Sequence, residues 1–306
     1  MLDYTRMKKP EELPKIIAII GPTASGKSDL AVKIAKRYKG EVISADSRQV
    51  YRGLNIGTGK ITKKEMLGVP HHLLNIAETK KRFTVSDYKI LADKTIAEII
   101  SRGKLPIICG GTGFYIDTVA NNMTLPDVAP NKILRKQLGS KSATMLFKML
   151  SKIDEKRAQS IGEHNKVRLI RAIEIAKTLG NIPEAKIEKK YNTLFIGIKI
   201  EKDKLKENIL NRLISRMKQG MAKEAKKLHN AGLSYKRMHE LGLEYRHLSL
   251  LLQDKITKQE FIEKLNTDIW HYARRQIQWF KRNKNIQWFS LTEKTKIKSA
   301  IKNFLS

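Results

Sequence analysis

Ile16-Ile17-Ala18-Ile19-Ile20-Gly21-Pro22-Thr23-Ala24-Ser25-Gly26-Lys27-Ser28 is the stretch from which the rest of the chain is read. Its apolar run, stopped by Gly-Pro, predicts a strand buried on both faces, as in a parallel sheet. Gly21 to Ser28 fits the pattern G-x-x-x-x-G-K-[ST], and beyond it Leu30, Ile34 and Ala35 recur at helical spacing toward Gly40. Strand, glycine loop and helix in that order make a phosphate cradle. Gly21 and Gly26 let successive N–H groups curl toward phosphate oxygens, Lys27 adds a point charge, and the Ser28 hydroxyl can hold Mg²⁺. The loop predicts diphosphate binding and leaves the compound open.

Working outward, Glu41-Val42-Ile43-Ser44-Ala45 reads as a second strand with Asp46 at its carboxyl end, the edge where open α/β sheets place ligands. Val85–Ser101 reads as a helix opened by a Thr84-x-x-Asp87 capping box and stopped by Gly103. Leu105–Cys109 is a third strand, closing on Gly110-Gly111-Thr112-Gly113, and Leu194–Ile198 could complete the sheet. The pattern predicts an α/β protein with a P-loop NTPase-like, doubly wound parallel sheet. Pro126 and Pro130 break the chain, and helical patterns without a good strand follow. The expected division is therefore a P-loop core from 1–120 and 193–306, with helices toward its C-terminus, and a helical insertion from 121–192.

Nucleotide hydrolases of this type add an apolar strand ending in a metal-holding acid, but here the third strand ends in Gly110. Asp46 is the comparable carboxylate, placed to hold a water on Mg²⁺ or to act as a base. Asp46 could also merely cap the turn after its strand.

Charge points to a polyanion. Among 306 residues, 61 Lys and Arg oppose 30 Asp and Glu, a net charge of +31, and 41% of residues are hydrophobic, enough for a core. Cys109 is the only cysteine, which excludes a disulfide framework and a Cys-ligated zinc site within the chain. Neither a signal-peptide run nor an apolar stretch long enough for a bilayer occurs, so a cytoplasmic protein without a membrane anchor is expected. His71 and His72 are adjacent on an extended segment and point to opposite faces, which predicts hydrogen bonding rather than zinc. Trp270, Ile277 and Phe280 recur at helical spacing and are expected in the core.

Several segments occur in a telling order: Gly21–Ser28, Ser44-Ala45-Asp46-Ser47-Arg48-Gln49-Val50-Tyr51-Arg52-Gly53, Asn55-Ile56-Gly57-Thr58, Val69-Pro70-His71-His72-Leu73 and Gly110-Gly111-Thr112-Gly113-Phe114-Tyr115. With Arg168-Leu169-Ile170-Arg171-Ala172-Ile173-Glu174, Ala273-Arg274-Arg275-Gln276 and Trp279-Phe280-Lys281-Arg282, they cover almost the whole chain. Together they resemble the tRNA dimethylallyltransferases, also called tRNA isopentenyltransferases.

The resemblance implies that the loop Gly21, Pro22, Thr23, Ala24, Ser25, Gly26, Lys27 and Ser28 holds the pyrophosphate of dimethylallyl diphosphate as a leaving group, with Mg²⁺ at Ser28. The dimethylallyl group would pass to N6 of the adenosine immediately 3′ of the anticodon, in tRNAs reading codons that begin with U. Asp46 is the implied base and Thr23 a further catalytic candidate at the pyrophosphate, with Arg212 as an additional contact. Implied contacts to the tRNA anticodon stem-loop are Asp46, Ser47, Arg48, Gln49, Thr112, Val167, Arg168, Leu169, Ile170 and Arg171. Arg168 and Arg171, three apart on a predicted helix, share a face. The target adenosine is expected to flip out of its loop. A monomer is also implied.

Met238–Tyr245 departs from the family's glycine-tyrosine segment, Gln278 stands where Thr is common, and Ile133 falls near a position often basic. These changes are expected to affect tRNA docking more than chemistry. Competing readings are a small-molecule P-loop kinase, a prenyltransferase acting on free adenine nucleotides, and a nucleotide-regulated RNA-binding protein without chemistry.

Overall fold

β1 (Lys15–Ile20) follows directly from its composition, since every residue after Lys15 is apolar and buried. It is one of the elements of a computed structural model that describes residues 12–184 and 188–306. After β1 come α1 (Lys27–Arg37), β2 (Gly40–Ala45), α2 (Lys63–Met66), β3 (His71–His72), α3 (Val85–Ser101), β4 (Leu105–Gly110) and α4 (Gly113–Ala120). Next are α5 (Lys132–Gly139), α6 (Ala143–Ser151), α7 (Glu155–Ile161) and α8 (Lys166–Leu179). The remainder is β5 (Asn192–Ile198), α9 (Lys202–Lys218), α10 (Met221–Asn230), α11 (Tyr235–Leu241), α12 (Leu243–Leu251), α13 (Lys258–Phe280), β6 (Ile286–Phe289) and α14 (Lys294–Leu305). Two compact units result, one holding the described residues up to Asn122 together with Glu188–Ser306, the other running from Met123 through residue 184.

In the larger unit the strands form one sheet in the order β3-β2-β4-β1-β5-β6, and each neighbouring pair is parallel. Ile17 pairs with Ile107 on one side and Leu194 on the other, so β1 is interior. Alternation then sorts its side chains. Ile16, Ala18 and Ile20 pack with Tyr88, Ile96 and Ile99 of α3 and Val119 of α4. Ile17 and Ile19 pack with Ala31, Val32 and Ile34 of α1 and with Ile297 and Ile301 of α14. A further cluster joins Leu205, Ile209 and Leu213 of α9 to Phe261, Leu265 and Ile269 of α13. This is the doubly wound parallel sheet expected from the sequence.

α3 begins at the expected capping box: the Thr84 hydroxyl accepts from Asp87 N at 3.2 Å, and Asp87 Oδ2 accepts from Thr84 N at 2.8 Å. Two edge strands, β3 and β6, were not expected. β3 has only two residues, neither apolar, and β6 is a four-residue Ile-Gln-Trp-Phe segment whose strand character comes from pairing with β5. Phe280 is buried with β1 and α3, while Trp270 and Ile277 are half-buried against the separate cluster of α9 and α13.

His72 Nε2 lies 2.7 Å from Glu41 Oε2, which also accepts from Arg102 Nη2 at 2.8 Å. Burial opposes ionisation of Glu41, but these two hydrogen bonds outweigh it and hold the carboxyl below its usual range. His71 Nδ1 is 2.8 Å from the Val69 carbonyl. Among the described residues no helix is long and apolar enough to cross a membrane.

The smaller unit, α5 to α8, packs Leu138, Leu146, Leu150, Leu169, Ala172 and Ile173 together. At its centre the Glu174 carboxylate is fully buried. It accepts from Arg135 Nε at 2.8 Å and Nη2 at 2.6 Å, from Arg171 Nη1 at 2.6 Å and from Asn131 N at 2.7 Å. Burial alone would raise its pKa; the two guanidinium groups and the amide outweigh burial and bring it to about 2.

Because the folded value lies below the ordinary 4.5, Glu174 stabilises the fold above that pH, and the contribution is lost as pH falls from about 4.5 toward about 2. Glu174→Gln leaves two arginines without a counter-charge and should destabilise the protein by about 3 kcal/mol at pH 7. Urea denaturation at pH 7 and pH 3 should show a large difference between wild type and variant at the higher pH and a smaller one at the lower.

Candidate active site

The parallel register brings the carboxyl ends of β2, β4 and β1 to one edge, where Ala45, Gly110 and Ile20 end their strands. After β1 the chain curls: Ala24 has φ +61° and Gly26 φ +80°, and Gly26 caps α1 without any side-chain hydrogen bond. The first-turn amides of α1 therefore have no side-chain acceptor, an arrangement suited to an anion. Lys27 Nζ donates to its own loop's Pro22 carbonyl at 3.0 Å. Burial lowers the Lys27 pKa, nearby Cys109 opposes the shift, and Arg212 adds to it.

The loop opens into a cavity of about 1000 Å³ lined by Ala24–Asp29, by the 55–62 region, by α9 and by Ser290–Glu293. Lys27, Lys60, Arg212 and Arg216 are all among its lining residues. Lys60 Nζ donates to the Tyr51 carbonyl at 2.8 Å and to Asn75 Oδ1 at 2.6 Å. Burial brings its pKa down to about 8, with Glu224 and Asp46 acting in the opposite direction. Arg212 forms no hydrogen bond or ion pair among the described residues. Burial, reinforced by Arg216, lowers its pKa.

Asp46 stands just past β2 in a turn. Its Oδ1 accepts from Arg48 N at 2.8 Å and Gln49 N at 3.2 Å. The side chain thus caps the turn with one oxygen, and among the described residues no donor reaches Oδ2. Thr112 N donates to the Ala45 carbonyl at 3.2 Å, and Thr112 Oγ1 accepts from Ser47 N at 3.1 Å. Asp46, Ser47, Arg48, Gln49 and Thr112 are thereby brought together at the ends of β2 and β4.

Val167, Arg168, Leu169, Ile170 and Arg171 belong to the other unit. Val167 is 79% exposed and Arg168 is exposed, whereas Leu169 is fully buried in the helical core and Ile170 is half-buried. Arg171 is held by Glu174 and by the Val128 carbonyl at 2.9 Å. Arg135, beside exposed Ile133, is held by the same carboxylate.

Gln276 of α13 links the two halves of the edge, an arrangement not deduced from the sequence. Its Oε1 accepts from Thr23 N at 2.8 Å and its Nε2 donates to the Gly111 carbonyl at 2.9 Å. A Cβ on Gly111 would lie 2.1 Å from Gln276 Nε2, so a side chain there would displace the amide and break the link. The sequence signals Gln276 only as part of Ala273–Gln276; its pairing with residues 253 and 165 positions away needs the fold. Glu224 and Tyr245, which touch at 2.7 Å behind the cavity wall, carry no sequence signal of that contact.

A glycine-rich loop at the edge of a doubly wound parallel sheet, with a carboxylate at a neighbouring strand end, defines a P-loop-like α/β protein. The family described as IPP transferase matches residues 49–283. A curated relative from Halalkalibacterium halodurans, named tRNA dimethylallyltransferase, is 40% identical over 91% of this chain and 92% of its own length. Another so named, from Bacillus subtilis strain 168, is 36% identical, covering 90% and 91%. The solved full-length tRNA isopentenylpyrophosphate transferase from Bacillus halodurans has a TM-score of 0.73 and 38% identity, covering 95% of this chain and 96% of that one. A eukaryotic dimethylallyltransferase acting on tRNA, at TM-score 0.77 and 24% identity, covers 92% of this chain and 75% of that one and supports the fold alone. The chain belongs to the IPP transferase family.

Gln276→Leu removes both bonds of the link and leaves the Thr23 N–H and Gly111 carbonyl unpaired. Thermal unfolding should show a loss of about 1–3 kcal/mol, and Gly111→Ala should produce a comparable loss by displacing the same side chain.

Proposed function

We propose that the chain modifies tRNA by transferring the dimethylallyl group of dimethylallyl diphosphate to the exocyclic N6 amine of the adenosine immediately 3′ of the anticodon, in tRNAs that read codons beginning with U. One observation carries this reading: an uncapped glycine loop and the Asp46 turn stand at carboxyl ends of the same parallel sheet, joined through Thr112 and Gln276. The names of the relatives favour this acceptor over the small-molecule kinase and over free adenine nucleotides.

In the reaction the allylic C–O bond breaks with cation character on carbon, and negative charge gathers on the departing diphosphate. The loop amides, Lys27 and Arg212 meet that charge as it grows, with Thr23 a further contact. A new C–N bond forms at N6, and Asp46 accepts the proton that nitrogen loses. Capping of its turn through Oδ1 orients the carboxylate and leaves Oδ2 for the amine.

The donor set fits Mg²⁺: the Ser28 hydroxyl and the Asp29 carboxylate line the cavity, and diphosphate and water would supply further oxygens. Bound there, Mg²⁺ would neutralise part of the diphosphate charge.

Ser47, Arg48, Gln49 and Thr112 are the proposed tRNA contacts of the core, and Val167 through Arg171, on an insertion spanning 121–192, those of the helical segment. Exposed Val167 and Arg168 are suited to direct contact, whereas Leu169 supports the helix from its core and Arg171 offers only what Glu174 leaves free. A monomer acting in the cytoplasm is proposed.

Purified protein incubated with unmodified tRNA, Mg²⁺ and radiolabelled dimethylallyl diphosphate, without ATP, should place label in RNA that digests to N6-isopentenyladenosine. Unlabelled RNA, with ATP consumed on another acceptor, would sink the reading. Asp46→Ala should lower kcat by about 10²- to 10⁴-fold while tRNA binding, followed by filter retention, is largely kept.

A further inference from the structure

The cavity wall facing α9 is the loop Asn55–Lys60, which is neither helix nor strand. One carboxylate takes up the amides at its start. Glu224 Oε2 accepts from Asn55 N at 3.0 Å and Ile56 N at 2.8 Å, and its Oε1 accepts from Gly57 N at 2.9 Å and from the Tyr245 hydroxyl at 2.7 Å. Glu224 forms no contact ion pair among the described residues, and its two oxygens accept from these four donors while Lys60 lies within reach of its charge. Tyr245 closes on the same loop: a Cβ on Gly57 would lie 2.7 Å from its hydroxyl oxygen.

The far end of the loop bears on Arg212. Gly59 has φ +58°, and a Cβ there would stand 2.8 Å from Arg212 Nη2, so the guanidinium lies directly against bare backbone. Arg216, one turn along α9, is already committed, donating to the Gly57 carbonyl at 2.7 Å and to Glu244 at 3.1 Å. Arg212 is left with its donors unused and with Gly59 as a close steric limit. On the opposite side, Gln49 Nε2 reaches the Thr58 and Gly59 carbonyls at 3.4 and 3.5 Å, tying the loop to the Asp46 turn.

We infer that Glu224 is a positioning residue for the diphosphate: by fixing Asn55–Gly57 it sets Gly59 against Arg212 and thereby aims that guanidinium into the cavity. The inference rests on the diphosphate reading of the cavity given above. It also assigns a purpose to the Met238–Tyr245 departure, since Tyr245 braces Glu224 and Glu244 engages Arg216. That segment serves the donor side of the site, not only tRNA docking.

Glu224→Gln keeps the shape but turns one acceptor oxygen into a donor facing N–H groups. Titration calorimetry with inorganic diphosphate and Mg²⁺ should show about tenfold weaker binding, while filter binding of tRNA changes by less than about twofold. Because Glu224 acts through Arg212, adding Glu224→Gln to Arg212→Ala should cause no further loss. Should Glu224→Gln fail to fold, Tyr245→Phe removes one brace and should weaken diphosphate binding by about threefold, again only when Arg212 is present.

Undiminished diphosphate binding by Lys27→Ala would overturn the reading of the cavity and this inference with it. Binding weakened by Lys27→Ala and Arg212→Ala but not by Glu224→Gln, or a Glu224→Gln loss that adds fully to that of Arg212→Ala, would overturn the positioning role alone. Equal weakening toward diphosphate and tRNA would overturn it too, as the mark of general loosening.

Discussion

The approach of β4 to the end of β2 constrains everything at the functional edge. A Cβ on Gly110 would lie 2.1 Å from the Ala45 carbonyl oxygen, so only glycine lets the two strands finish side by side. From that contact a chain of hydrogen bonds runs both ways. Thr112 reaches back to Ala45 and across to Ser47, while the Gly111 carbonyl is joined through Gln276 to the amide of Thr23. The carboxylate turn, the glycine turn and the Gly21–Ser28 loop are thus one connected assembly.

Two uses of positive charge can be separated in this strongly basic chain. Where a cation builds architecture it meets a carboxylate: Arg135 and Arg171 on Glu174, Arg102 on Glu41, Arg216 on Glu244. Around the cavity Arg216 keeps that pattern, but Lys27 and Lys60 are steadied by neutral oxygens and, among the described residues, Arg212 by none. A neutral oxygen orients an ammonium without cancelling its charge, so these groups keep a field for an incoming anion. Burial without a counter-ion costs stability.

What the sequence discloses depends on how local the cause is. β1 and α3 are legible because an uninterrupted apolar run and a reciprocal Thr84–Asp87 cap act within a few residues. The P-loop is legible because glycine spacing and the flanking elements coincide. β3 and β6 are not, since His71–His72 and Ile286–Phe289 become strands only by lying against β2 and β5. Helical spacing puts Arg168 and Arg171 on one face, but a buried Glu174 on the same helix draws Arg171 inward, and nothing in the spacing reveals that the acid is buried. Gln276 and Glu224 act on segments more than 150 residues away, at 253 and 169 positions, distances over which side-chain pattern carries no information.

β1 lies between β4, which follows it by about ninety residues, and β5, which the chain reaches only after the whole helical unit. On the ribosome, β1, β2 and β4 emerge long before the strand that covers the open side of β1, while the core of α5 to α8 is built from residues of that unit alone. The helical unit can thus complete its core while the sheet still has an exposed edge of Ile16–Ile20 backbone. During synthesis the nascent sheet is therefore most exposed to pairing with a neighbouring chain in the interval between β4 and β5, and the pace of translation across residues 111–198 sets how long that exposure lasts.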